Sequence, residues 1–281
     1  MEDRKQYIGG SDIAAVMGVS RWKTPLQLWA EKTGAVEADD LSNNQAVQLG
    51  IELEEFCAKK FEKETGMKVR RAPQRYTHKE YPFMACQVDR LVTGTDELLE
   101  VKTCSAWKER EWAGEDIPIE YILQVSWQLM VTGRKVGHIC VLIGGQKFIY
   151  KKIEADQGMF DKMIESAKSF WKMVEDRIPP VAEAADNSFM VELYPTANDQ
   201  IKEASETISE AIGLLQQTKA QIIEMEKTKD ALESQIKEVI GSNAGIKTPE
   251  FTVKWINVKG STFTVTKKDG RMLKVTKNKG E

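Results

Sequence analysis

Three residues carry the chemistry this sequence offers most plainly: Asp89, Glu100 and Lys102. Glu100 and Lys102 are two apart in the run Leu98 to Thr103, which reads as a strand, so both side chains share one face, about 6 to 7 Å apart at Cα. Asp89 ends an earlier strand, and the turn at Gly94 to Glu97 predicts a hairpin that sets its carboxylate beside that of Glu100. Two carboxylates forced together repel unless a hard divalent cation neutralises them, as an oxygen-lined Mg²⁺ or Mn²⁺ site does. The backbone carbonyl of Val101 can complete such a shell, and Lys102 can orient or help deprotonate an attacking water. Taken alone, the spacing is weak, and a surface salt bridge is the bland alternative. The apolar neighbours Leu98, Leu99 and Val101 argue instead for a buried strand, where an idle Glu and Lys are costly.

The surrounding elements alternate between helix and strand. Short helices are predicted at 11–17, with Ser11 as N-cap, and at 24–32, with Pro25 at the first position and Gly34 beyond. A longer helix runs from Ala46 to Thr65 and stops at Gly66. Strands follow from Val69, through Arg75 to His78 and Phe83 to Val92, and then comes the catalytic strand. After a helix at Glu120 to Thr132, His138 to Ile143 and Lys147 to Ile153 form a hairpin across Gly144 and Gly145, followed by a helix at 156–176. This order is that of an α/β fold: a mixed sheet flanked by helices, ending near residue 195.

Residues 196–243 read as a helical, coiled-coil-like arm. Ile201, Ile208, Leu215, Ile222 and Ile236 fall on one heptad position and Ala204, Ala211, Met225, Leu232 and Val239 on another, broken by Thr218 and Lys229. Such a seam wants a partner, in its own chain or in another. Residues 244–281 alternate around turns at Gly260 and Asp269-Gly270 and are expected to form a small three-stranded β unit. From Gly245 onward nine Lys/Arg face three Asp/Glu, a local +6 against −3 for the whole 281-residue chain. That tail is either a solvated face or a phosphate-binding patch.

With 41% hydrophobic and 30% charged residues, collagenous, mucin-like and wholly disordered classes are excluded. No apolar run approaches the roughly 20 residues of a membrane helix, so a cytoplasmic protein without a membrane partner is expected. Cys57, Cys86, Cys104 and Cys140 are scattered, which suggests neither a disulfide framework nor an iron–sulfur cluster.

Five ordered motifs add a resemblance: Ile8-Gly9-Gly10-Ser11-Asp12-Ile13, Leu49-Gly50-Ile51-Glu52-Leu53-Glu54, Val88-Asp89, Leu99-Glu100-Val101-Lys102, and Gln124-Val125-x-x-Gln128. Over roughly residues 4 to 180 they resemble the YqaJ-type viral recombinases, relatives of phage lambda exonuclease within the PD-(D/E)XK nucleases. The resemblance implies a Mg²⁺-dependent exonuclease, with Mn²⁺ as substitute, that degrades one strand of a duplex DNA end from its 5′ terminus. The 3′ strand left behind would go to a RecT-like single-strand annealing protein in phage-type recombination. It implies Asp89 and Glu100 as metal ligands, Lys102 as the water-orienting amine and Glu54 as an outer or second-metal carboxylate, with Glu52 and Glu55 as competitors for that last role. Gln124 would touch the reacting water or the scissile phosphate. The proline that names the superfamily is Val88 here.

Preference for a 5′ end needs a pocket for a terminal phosphate. Gly9-Gly10-Ser11 opening a helix suits anion capture, with Gly10 N–H and Ser11 hydroxyl as donors and Arg4 as the charged partner. Arg4 and Ser11 also match phosphate-binding positions of the lambda-like enzymes. The structural alternative is an N-cap serine and a terminal arginine. Arg21 and Lys23 flank Trp22 in a loop that can grip a DNA backbone or stack on a base. Trp107 and Trp112, with Lys108 and Arg110, can line a substrate channel or cover the sheet edge. Ring-shaped trimers occur among lambda-like relatives, but the arm leaves the oligomeric state open. The rivals are a structure- or sequence-specific endonuclease using the same site and a DNA-binding module whose acidic site is vestigial.

Overall fold

The computed structural model describes residues 4–72, 74–198, 200–262, 264 and 270–276. The chain divides into two compact units, Met1–Tyr194 and Pro195–Glu281.

In the first unit, α1 (Ile13–Val16), α2 (Pro25–Thr33) and α3 (Gln45–Thr65) precede β1 (Val69–Arg71), β2 (Tyr76–Thr77), β3 (Ala85–Cys86), β4 (Arg90–Val92) and β5 (Glu97–Cys104). After a 3₁₀ segment at Ala106–Trp112 come α4 (Ile119–Thr132), β6 (Val136–Ile143), β7 (Lys147–Glu154), α5 (Gln157–Glu175) and the short α6 (Phe189–Leu193). Glycines close the helices as expected: Gly34, Gly66 and Gly133 adopt positive φ at the ends of α2, α3 and α4. Thr24 caps α2 through its own hydroxyl and the returning Gln27 amide.

The sheet order is β1-β4-β5-β6-β7, antiparallel throughout except for the β5–β6 pair, which α4 bridges as a crossover. This is the expected mixed sheet with helices. Strand alternation divides the core. Leu98, Ile139 and Val141 pack with α1, α2, α4 and α5, whereas Leu99, Val101, Cys140 and Leu142 pack with Cys57 and Phe61 of α3. Gly137 is required where α4 crosses β6, since a Cβ there would stand 2.4 Å from Val125 Cγ1.

Two expectations change in this unit. The first helix is only Ile13–Val16, and its N-cap is Asp12, not Ser11. The run Phe83 to Val92 is broken into β3 and β4, because Gln87 to Asp89 leave the ladder to enter the site.

In the second unit, α7 (Glu206–Ile240) is a single 35-residue helix capped by Ser205. Beyond it β8 (Gly245–Lys247) and β9 (Thr252–Lys254) form a two-stranded ladder. The expected third strand is absent among the described residues: Leu273 to Val275 form none, and Phe263 and Val265 lie outside them. Phe251, Trp255 and Leu273 are exposed, so alternation there has no core to bury against.

Candidate active site

The β4–β5 register pairs Arg90 with Leu99, and one further step places Asp89 across from Glu100. Asp89 leaves the ladder, and its Oδ2 accepts the Val101 backbone N–H at 2.8 Å. Its other oxygen has no hydrogen-bond partner among the described residues. Burial first, and the Glu100 charge second, push the Asp89 carboxyl up to about 8, against the pull of Lys102 and the Val101 N–H.

Glu100 is 3% exposed and fully engaged. Its Oε1 accepts from Lys102 Nζ and Gln124 Nε2, each at 2.5 Å, and its Oε2 accepts from Gln128 Nε2 at 2.7 Å. Gln124 and Gln128 stand one turn apart on α4, so both amides reach the same carboxylate. Burial alone would lower the Lys102 pKa, but Glu100 and Asp89 outweigh it and the net shift is upward. Lys102 is therefore a held ammonium, suited to donating a hydrogen bond and positive charge rather than to removing a proton. It also lies 5.6 Å from the ring centre of Tyr121.

Glu54 reaches the site from the other face. Arg90 shares the face of its partner Leu99, the one covered by α3, so its buried guanidinium meets Glu54 and also Glu55, the latter at 3.0 Å. Glu54 adds to the upward push on Asp89, so it borders the site, whereas Glu52 is exposed. Among the described residues no three His, Cys, Asp or Glu side chains stand ready-gathered for a metal. Two acidic side chains and an amine converge; the third carboxylate is held by Arg90.

The donors nevertheless suit a hard divalent cation. Asp89 and Glu100 carry oxygen only, one Asp89 oxygen lacks a partner among the described residues, and the carboxylate pair is costly to ionise without a counter-charge. Val101, whose N–H fixes Asp89, lies between Glu100 and Lys102 and offers its carbonyl.

The glycine loop packs against this site. Ile8 is tied to the β3 segment through its N–H to Phe83 O at 2.7 Å and its carbonyl to Ala85 N at 3.0 Å. A Cβ on Gly10 would stand 3.4 Å from Gln124 Cγ, so the loop lies within van der Waals reach of α4. Arg4 donates to Ser11 Oγ at 2.8 Å and to Asp12 Oδ1 at 3.3 Å. Asp12 is the hub that sequence reasoning missed: it accepts from Gly9 N and from the buried Lys32 ammonium, which also binds the carbonyls of Arg4 and Tyr7. With a first helix of only four residues, a helix N-terminus for anion capture is not present. What remains is an arginine and a serine hydroxyl side by side.

The second loop is committed to ion pairs. Arg21 binds Glu120 at 2.6 Å and Glu111 at 2.8 Å, which raises its pKa, and Lys23 binds Glu31 at 2.6 Å. Trp22 is exposed, tilted against Tyr121 at 6.0 Å, with Lys108 over its ring at 5.8 Å. Trp112 is buried and stacks on Tyr121, whereas Trp107 is 92% exposed.

Over 241 residues the sequence is 36% identical to the uncharacterised protein YqaJ of Bacillus subtilis, covering 84% of this chain and 75% of that protein. Residues 1–135 match the family described as the YqaJ-like viral recombinase domain. The chain belongs to that family. Among solved structures, the fold is similar to the alkaline exonuclease LHK-Exo of Laribacter hongkongensis, at a TM-score of 0.54 and 22% identity over 62% of this chain and 91% of that one. The same enzyme in complex with dAMP gives a TM-score of 0.53 at 23% identity. At such identity these likenesses show the fold alone, a mixed sheet with flanking helices of the PD-(D/E)XK type. Family membership extends the resemblance carried by the five motifs to most of the chain.

Proposed function

We propose that this family member is a divalent-metal-dependent 5′→3′ exonuclease that resects linear duplex DNA ends to 3′ single strands for strand-annealing recombination. The observation that carries the reading is the buried Asp89–Glu100–Lys102 set, with Glu100 gripped by Gln124 and Gln128. We assign the nuclease to residues 1–195, with the arm at 196–243 and the basic segment at 244–281 as additions. The nuclease fold of the neighbours supports the reaction class.

Asp89, Glu100 and the Val101 carbonyl would hold Mg²⁺ or Mn²⁺, with Glu54 as an outer carboxylate. A cation there supplies Lewis acidity to a phosphodiester and lowers the pKa of water. The remaining work belongs to the chain. The α4 amides fix the Glu100 carboxylate, so its geometry is set before substrate arrives. Lys102 donates to the attacking water or to the phosphoryl oxygen that gains charge. Gln124, beside the Gly10 loop, contacts the scissile phosphate, and Arg4 with Ser11 binds the terminal 5′ phosphate. Gly10 lies beside Gln124 in that loop. Arg21 and Lys23 reach DNA only by exchanging carboxylate for phosphate. A bacterial host cytoplasm is the expected setting, and a RecT-like annealing protein the expected recipient of the product.

End-labelled linear duplex, with Mg²⁺ or with EDTA, tests this. Label should leave 5′ ends first, only with the cation, and closed circles should survive. Cutting of circles would instead establish an endonuclease. DNA binding with no Mg²⁺-dependent product would establish a binding module. A Lys102→Ala chain that digests as fast as wild type would overturn the assigned chemistry.

A further inference from the structure

We propose that α7 pairs antiparallel with α7 of a second copy of this chain, in a two-stranded coil centred between Ile223 and Glu224. At about 1.5 Å per residue the helix is roughly 52 Å long, and its one buried residue among those described is Ile240. Isolated helices draw little stability from propensity alone, so so long an element needs its apolar face covered. The large apolar side chains Ile208, Ile212, Leu214, Ile222, Met225, Leu232, Ile236 and Val239 are exposed on or beside one heptad seam; only Ile223 stands clear of it.

The two interruptions of that seam identify the occupant. Set antiparallel about the centre of the helix, Ile208 faces Val239, Ala211 faces Ile236, Leu215 faces Leu232 and Ile222 faces Met225 of the other copy. In that same register Thr218 faces Lys229, so both polar residues share a layer and no apolar residue is opposed by either. Every residue of the seam within α7 is matched, with the two helices overlapping almost end to end. A parallel pair would put Lys229 against Lys229 in the core, two like charges in one layer. The flanking positions agree. The antiparallel register brings Lys219 of one helix beside Glu226 of the other, twice by symmetry, whereas a parallel pair offers no such opposite-charge contact between the positions flanking its seam.

Disulfide trapping in the full-length protein reads the register. Within one helix Leu215 and Leu232 are about 25 Å apart, so any bond between cysteines at those positions joins two chains. The double variant Leu215→Cys/Leu232→Cys should give a covalent dimer under mild oxidation, beyond a wild-type control for the four native cysteines. Leu215→Cys alone should not, because the two copies of position 215 are then also about 25 Å apart. Ready linkage by the single variant would mean a parallel pair and overturn the proposal. Failure of the double variant to link would mean another occupant, and overturn it too. As a second reading, Lys219→Glu should weaken self-association by about tenfold in sedimentation at low salt, and Lys219→Glu/Glu226→Lys should restore it. An association constant unmoved by either change would refute the register.

Discussion

Replacing Asp89 by Asn should abolish Mg²⁺-dependent digestion yet stabilise the metal-free protein, and the size of that gain follows from the site. Burial and the neighbouring Glu100 raise the Asp89 pKa from an ordinary 3.8 to about 8. Between those values the folded chain holds a proton that the unfolded chain has lost, so stability falls as pH rises, by about 1.4 kcal/mol per pH unit. The loss begins near pH 4, is complete near pH 8, and amounts to something on the order of 5 kcal/mol at most, since water entry relaxes a buried charged pair. Asn can still accept the Val101 N–H and carries no charge for Glu100 to repel. The stability gap between Asp89→Asn and wild type should therefore widen from near zero at pH 4 to several kcal/mol at pH 8.5, measured from urea midpoints in EDTA. Mg²⁺ should close the gap from the wild-type side, by about 2.7 kcal/mol at a concentration of 100 Kd, while leaving the variant unmoved. A gap that stays constant from pH 4 to 8.5, or a variant less stable than wild type at the upper end, would refute the reasoning.

Three further outcomes follow from contacts in the first unit. Gln128→Leu removes the donor to Glu100 Oε2 and to Gln87 O, and should cost about 1 to 3 kcal/mol in urea denaturation and slow digestion through a loosened Glu100. Gly137→Ala drives a Cβ into Val125 and Leu98, and should cost about 1 to 3 kcal/mol, read as a lowered Tm without loss of the metal response. Arg4→Ala should slow digestion of 5′-phosphorylated ends by roughly 10- to 100-fold, the worth of a charged hydrogen bond, and leave 5′-hydroxyl ends unchanged. Equal slowing of both ends would remove Arg4 from the phosphate pocket.

The geometry of the central site was legible because it depends on local rules. A turn at Gly94 and a period of two are enough to set Asp89 opposite Glu100, and a helical turn puts Gln128 on the face of Gln124. What stayed hidden depends on partners distant in sequence. Arg21 spans 90 and 99 residues to reach Glu111 and Glu120, and nothing in its own loop announces that its charge is spent. Ser11 looks like an N-cap because the pattern before Ile13 has the right residue types. The tertiary demand of Lys32 for Asp12 and two carbonyls sets where the chain turns instead. Arg90 was invisible as a partner for Glu54 because strand alternation assigns it a face, but only the packing of α3 says what waits there.

That arginine explains why the carboxylates do not simply collapse into a cluster. On the α4 face, Lys102 is the cation beside Asp89 and Glu100, and on the α3 face, Arg90 binds Glu54 and Glu55, the latter also flanked by Lys59 and Arg71 at 3.7 Å. With both carboxylates ionised, the Asp89–Glu100–Lys102 group is short by one positive charge, whereas the Glu54–Glu55 pair is not. A divalent cation held by Asp89 and Glu100 would supply it, and the upward push of Glu54 on Asp89 is an interaction between the two groups across the ladder. Without it the deficit is met by a proton, and the group with the raised pKa, Asp89, is the one that takes it. Arg90 thus binds the outer pair, while in the inner pair one Asp89 oxygen has no hydrogen-bond partner among the described residues. Removing Arg90 should do more than break an ion pair: it would take a buried positive charge from beside Glu54 and Asp89.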